Sequence, residues 1–440
     1  MKNMICLLVD RLHIGFWGAY GNAEIETPTL DRLAAESFLA DRFYVDTPDP
    51  VRQCRSWQRG LHTLAQNSPP TIVAQLHAAG YRTVLVTDDS DIAYSPEAGD
   101  FSEVQLLPTP ENTQPCEEID ATHLCGMLAT IAATAESLAR SGTPYCLWCH
   151  LRGFDGIWDF PLFLREKYRG EEDPEPYAGV TPPLFGLQAS DIGLPEKDDV
   201  RQAVVSAYAG GVTMFDELLE MLTEPLRTGE WGDETLFLLA GTRGVLFGEH
   251  GIIGIPPTDA AWDEPLASSL VQVPLAIRFP DGFGATVRSD ALLQPPDVAR
   301  LFYEWLALPL PDMLQSTAAS GPNMLDLIRE VPQNPRDHIV IVAPQSKTEW
   351  QPGTERCAAT GSTDGQAASC LVTPSWFFME LDASAGDTNN RFALYVKPDD
   401  RWDVNNVADR CVEIVEQLVE VRDDLILGLQ GRASNANLRP

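Results

Sequence analysis

Two periodicities alternate along this chain. Short runs rich in apolar residues at 4–9, 81–87, 145–150, 234–240 and 273–279 have the length and composition of buried strands. Between them lie segments with helical spacing. Thr27 followed by Pro28 predicts a helix start, with Thr27 as the N-cap and proline at the first helical position. Residues 70–80 form a second helix closed by Gly80, and 121–140 a third ended by Ser141-Gly142. Residues 198–222 place Val204, Val205, Tyr208, Val212, Phe215, Leu218, Leu219 and Leu222 on one helical face. Strands alternating with helices predict an α/β fold, a mostly parallel sheet with helices on both faces. Chemistry in such sheets sits at the carboxyl ends of the strands. That points to Asp10, to the segment after Thr87, to 150–155 and to 241–244.

The pattern changes near residue 335. Strands at 338–343, 371–373, 375–381 and 391–397 are separated by turns and by a Gly/Ser/Thr-rich stretch at 358–368, and a helix is expected from 404 to about 427. The predicted organisation is an α/β domain over 1–335 and a smaller C-terminal subdomain over 336–440, antiparallel strands with one packing helix.

Charge narrows the classes of function. The 440 residues carry 64 Asp plus Glu against 31 Lys plus Arg, a formal charge of −33. A chain this acidic repels a nucleic-acid backbone or an anionic membrane surface, so neither is expected as a partner. The first apolar run is too short for a secretory signal, and nothing approaches the ~20 apolar residues of a membrane span, so a cytoplasmic location is expected, the alternative being a leader removed before this numbering. Nine cysteines without a dense framework fit reduced thiols. Cys146-Leu-Trp-Cys149-His150 has the haem c attachment spacing, but it lies in an apolar strand-like run and reads as core cysteines.

The segment LLVDRLHIGFWGAYGNAEIETPTLDRLAAES closely resembles the opening of the sulfatase family, within the alkaline phosphatase superfamily. PTIVAQLHAAGYRTVLV, CHLRGFDGIWDFP, YAGGVTMFDELLEML, FGEHGI, AWDEPLASSLVQVPLAIRFPDG and ALYVKPDDRWDVNNVADR are similar to successive later segments of that family, in order over nearly the whole chain. The resemblance implies an alkaline phosphatase/sulfatase-like fold. It also implies a calcium ion and a formylglycine nucleophile made from Cys-x-Pro-x-Arg or Ser-x-Pro-x-Arg.

This chain departs from the family at those positions. Registered on Pro48 and Gly60, the nucleophile falls on Pro50, which has no side-chain heteroatom, and the family's Arg falls on Cys54. The acidic pair ending the first strand becomes Asp10-Arg11, and the Asp with Asn or His before GEHG becomes Thr242-Arg243. A hard divalent cation needs several oxygens, and Asp10 is the only retained ligand-type residue. The family's Lys-x-His falls on Asp88 and Ser90, its later His on Ile157 and its last Lys near Ile255.

Calcium and formylglycine are therefore expected to be lost, with no other cofactor. The expected function is a sulfatase-like protein without catalysis, binding a small anionic ligand or a protein partner in the former cleft. The alternative is a sulfate or phosphate ester hydrolase with a metal-independent site. Candidate cleft residues are Asp10, Arg11, Arg52, Cys54, Arg55, Asp155, Thr242, Arg243 and His250. Arg11, Arg52, Arg55 and Arg243 would make the cleft locally positive. Arg243 or Arg11 either replaces the metal's charge beside Asp10 or is an exposed loop arginine. His13, His62 and His150 read as ordinary surface or core histidines.

Overall fold

The first apolar run becomes the middle of an eight-stranded sheet. The computed structural model describes residues 2–186, 194–231, 234–255, 265–315, 321–331, 336–343, 368–380 and 392–431. Its strands in chain order are β1 (Asn3–Val9), β2 (Phe38–Ala40), β3 (Arg82–Thr87), β4 (Glu103–Leu106), β5 (Tyr145–Leu151), β6 (Leu184–Gly186), β7 (Thr235–Gly241), β8 (Leu246–Phe247), β9 (Ile252–Gly254), β10 (Leu275–Arg278), β11 (Arg288–Ser289), β12 (Ile339–Val342), β13 (Ser369–Val372), β14 (Trp376–Glu380) and β15 (Phe392–Val396). The large sheet has the order β11-β2-β10-β7-β1-β5-β3-β4. β7, β1, β5, β3 and β4 run parallel, and β10 is antiparallel to both β7 and β2.

β1 shows why the runs are continuously apolar. Met4, Cys6 and Leu8 face one core with Trp57, Leu76 and Phe302, from helices Pro50–Arg59, Ile72–Ala78 and Pro295–Trp305. Ile5, Leu7 and Val9 face the other with Leu30, Leu128 and Leu219, from helices Pro28–Ala35, His123–Arg140 and Leu194–Thr228. Burying each such side chain contributes about 1.5–3 kcal/mol, so a strand covered on both faces has no polar position to spare. The expected helices on both faces are present, and a four-stranded antiparallel sheet, β12-β13-β14-β15, follows C-terminally. β8, β9 and β6 make a small third sheet.

Four local expectations shift. Thr27 precedes helix Pro28–Ala35 but does not cap it; its hydroxyl accepts from Gly18 N at 3.0 Å. Asp216, from the facing helix, accepts instead from Thr29 N (3.1 Å) and Leu30 N (2.7 Å). The last helix spans Val412–Leu429 rather than starting at 404. The Asp400 carboxylate holds the amides of Val404 and Asn405, and Asn406 Oδ1 those of Leu394 and Ala408, which fixes 404–407 as a loop. Residues 42–46, expected as the strand that precedes the family's nucleophile element, form only two isolated bridges, Phe43 with Leu293 and Tyr44 with Gln272. The helix expected over 198–222 runs from Leu194 to Thr228 through Pro225. Most of the Gly/Ser/Thr-rich stretch and the proposed boundary at 335 lie outside the described residues. No helix among the described residues is long and apolar enough to cross a membrane.

Candidate functional site

Strand register assembles the site. Val9 lies opposite both Leu151 and Gly241, so β1, β5 and β7 end at one level. Their next residues are Asp10, Arg152 and Thr242. β3 places Thr87 beside His150, one residue before Asp88. After Asp10 the chain turns through Arg11 at φ 60°, a left-handed conformation that costs about 1–3 kcal/mol for a residue with a side chain. The turn is over-determined. Arg11 N donates to Asp10 Oδ1 at 2.9 Å, and Arg11 C=O accepts from Tyr208 Oη at 2.5 Å.

This turn sends Arg11 inward, where two buried arginines meet two buried carboxylates. Arg243 grips Asp10 with a fork, Nε to Oδ1 at 2.9 Å and Nη2 to Oδ2 at 2.8 Å. The Thr242 hydroxyl donates to Asp10 Oδ1 at 2.9 Å. Arg243 Nη2 also lies 3.0 Å from Asp155 Oδ1, which takes Arg11 Nε at 3.3 Å. Arg11 Nη1 donates to Gly244 O at 3.1 Å. Side-chain exposure is 1% for Arg11, 3% for Asp155, 5% for Asp10 and 8% for Arg243. Burial alone would raise the Asp155 carboxyl, but Arg243, Arg11 and Arg152 together hold it below the usual carboxylate range.

Of the two readings of these arginines, the exposed loop is excluded. Arg243 and Arg11 both supply positive charge beside a carboxylate, Arg243 to Asp10 and Arg11 to Asp155. The expectation of a positive cleft is corrected, because the buried charges cancel. Arg52 is 43% exposed and pairs with Asp49 at 3.4 Å. Arg55 reaches over to the carbonyls of Ala65 and Asn67.

Cys54 and His250 have other surroundings as well. Cys54 is buried against Pro50 O, and burial pushes its thiol well above the ordinary range. His250 sits at φ 53° with its ring edge-on to Tyr395, centroids 6.1 Å apart. His13, His62 and His150 are buried.

The remaining structure was not legible from motifs. Pro50 opens helix Pro50–Arg59, and Asp49 accepts from Val51 N (3.0 Å) and Arg52 N (3.2 Å), so the chain's own carboxylate occupies this helix's N-terminal anion position. Gln53 Nε2 donates to Thr47 O and Thr242 O, both at 2.6 Å, and clamps that helix to the segment carrying Arg243. Asp88 pairs with His123 at 2.9 Å, although the two lie in different elements and share no motif.

A divalent cation does not fit these residues. Three donors, the Thr242 hydroxyl, the Arg243 guanidinium and the Arg11 amide, face Asp10 where a cation would need oxygen acceptors. Among the described residues no group of three or more His, Cys, Asp or Glu side chains is arranged to hold a metal.

Comparison with known proteins places this geometry in a family context. The family model described as Sulfatase matches residues 2–308. Among solved structures, the phosphonate monoester hydrolase from Silicibacter pomeroyi superposes with a TM-score of 0.70 at 15% identity, covering 99% of this chain and 96% of its own. A structure solved in complex with its substrate, D-glucosamine-2-N,6-O-disulfate, gives 0.69 at 16%, covering 99% of both chains. The phosphonate monoester hydrolase of Agrobacterium radiobacter gives 0.68 at 17%, covering 98% of this chain and 96% of its own. These likenesses show the fold. No curated protein matches the chain.

Proposed function

This chain belongs to the sulfatase family, and from that premise we propose that it is a member without ester hydrolysis, which uses the inherited cleft for binding. One observation carries the reading: both oxygens of Asp10 are taken by internal donors, with the Arg243 fork across them. Sulfate or phosphate ester hydrolysis needs an activated nucleophile and positive charge free to stabilise the transferring group. Pro50 offers no nucleophilic atom, the Cys54 thiol is buried and held protonated, and Arg243 and Arg11 are committed to carboxylates. The same facts weigh against a metal-independent hydrolase built on these residues. On this reading the inherited cleft binds a ligand or a partner, with neither calcium nor formylglycine.

The test is metal content of the purified protein by mass spectrometry, followed by assay of 4-nitrophenyl sulfate, 4-nitrophenyl phosphate and a phosphonate monoester. The expected result is substoichiometric divalent metal and no turnover. Stoichiometric metal together with turnover that disappears in Asp10→Asn overturns the proposal.

A further inference from the structure

A second constellation lies beside the closed network, at the carboxyl end of β3, and one of its members, Asp88, stands where the resemblance puts a family Lys. Asp88 follows β3, and its side chain is 3% exposed. Its Oδ1 accepts from Arg152 N at 2.8 Å, and its Oδ2 lies 2.9 Å from His123 Nε2. An ionised carboxylate only accepts, so His123 Nε2 carries the proton of this bond, which selects the tautomer whose acceptor is Nδ1. His123 is the first residue of its helix and is fixed there from two directions. Its amide donates to Asp159 Oδ2 at 2.9 Å, and the Thr122 N-cap hydroxyl accepts from Cys125 N at 3.3 Å. The His123 side chain is 13% exposed.

Arg152 emerges from the other side of the same carboxylate. Its side chain is 29% exposed. The guanidinium touches Asp155 only through Nη2, at 3.3 Å to the carbonyl and 3.4 Å to Oδ2, and its other nitrogens make no hydrogen bond among the described residues. It is thus the cleft arginine with donors to spare, whereas Arg11 and Arg243 are committed. Behind Asp88, buried His150 has no hydrogen-bond partner on either ring nitrogen among the described residues.

The geometry points to His123 and Arg152 as a recognition site for a small hydroxy carboxylate. Arg152 presents the planar fork that a carboxylate matches, and His123 Nδ1, oriented by Asp88, accepts from the ligand hydroxyl. A monoanion suits the place better than a dianion, because Asp155 and Asp89 flank Arg152. The inference rests on the binding half of the proposal above, but it involves neither Asp10 nor turnover. Stoichiometric metal with turnover would therefore remove the proposed absence of hydrolysis and leave this site standing.

The experiment is calorimetric titration of the full chain with lactate and with glucuronate, using propionate as the acid lacking a hydroxyl. His123→Gln keeps the donor to Asp88 and removes the Nδ1 acceptor; Arg152→Gln removes the fork. The expected result is that at least one hydroxy acid binds, propionate binds about tenfold more weakly, and each substitution costs about tenfold, the equivalent of one good hydrogen bond. Should a variant fail to fold, the 15N spectrum of histidine-labelled wild type replaces it, with the His123 Nδ1 resonance expected to move on addition of the hydroxy acid that binds. No binding by either hydroxy acid, equal binding of propionate, unchanged affinity in His123→Gln, or an unmoved Nδ1 resonance overturns the assignment.

Discussion

Replacing Arg243 with alanine probes the reasoning most directly. Asp10 would lose its fork and keep only the Thr242 hydroxyl and the Arg11 amide, and Asp155 would lose its 3.0 Å partner. Both carboxylates are at least 95% buried at the side chain, so solvent cannot take over the arginine's role. Removing one partner of a buried pair destabilises by about 3–5 kcal/mol, whereas an exposed pair contributes about 0–1. Urea unfolding followed by tryptophan fluorescence should therefore show a midpoint shift equivalent to about 3–5 kcal/mol at unchanged slope. Arg243→Lys should fall between, since an ammonium supplies charge without the fork. The double variant Asp10→Leu/Arg243→Met should recover most of the loss, because apolar replacement of a whole buried pair is often neutral or stabilising. A loss below about 1 kcal/mol in Arg243→Ala, or a double variant no better than the single, refutes the picture of a buried, mutually dependent network.

Two further outcomes follow from other contacts. Gln53→Leu should destabilise by about 1–3 kcal/mol, because the carbonyls of Thr47 and Thr242 would lose a buried donor; a change within 0.5 kcal/mol by the same urea assay would contradict the clamp. Asp216 has its pKa raised by burial to about 6, against a carboxylate that titrates near 4 when unfolded, so the folded state binds the extra proton and stability falls as pH rises from about 4 through 6. Asp216→Asn should flatten that part of the profile relative to wild type; parallel profiles between pH 4 and 7 would show that Asp216 is not the group responsible.

The sequence made the strand ends readable because each buried strand is one apolar run and its exit is the next polar residue. Asp10, Thr242 and Arg243 could be named for that reason, and the structure brings them together. Whether Arg243 and Arg11 replace a charge beside Asp10 or stand exposed on a loop stayed open, because the left-handed turn at Arg11 is a backbone property that no motif announces. The Arg11 side chain goes to Asp155, and Arg243 takes Asp10. The Asp88–His123 pair was hidden for a different reason. Its residues are 35 apart, one at a strand end and one at a helix start, and only the β3–β5 register with the helix packed beside it makes them neighbours. Arg52 and Arg55 were over-read. Charge type suggested cleft lining, but position on helix Pro50–Arg59 sends one to its own cap and the other to a neighbouring loop.

The global charge gives the network its context. Against a net charge of −33, only five of the 31 basic residues are lysine, which leaves 26 arginines. Arginine is more weakly hydrated than lysine and binds carboxylates with a planar fork, so it is the cation that can be buried at the lower desolvation penalty. The cleft uses it that way: two arginines are spent inside on two carboxylates, and a third, Arg152, stands half-exposed beside them. A buried ion network is weak evidence of selection for stability, since apolar side chains of equal volume would serve as well. What the network does, and an apolar plug would not, is keep Asp155 ionised and within reach of Arg152 at 3.4 Å. Arg152 is thereby anchored to the same carboxylate that Arg11 and Arg243 contact. Substitutions at Asp155 should therefore disturb the buried network and the placement of Arg152 together.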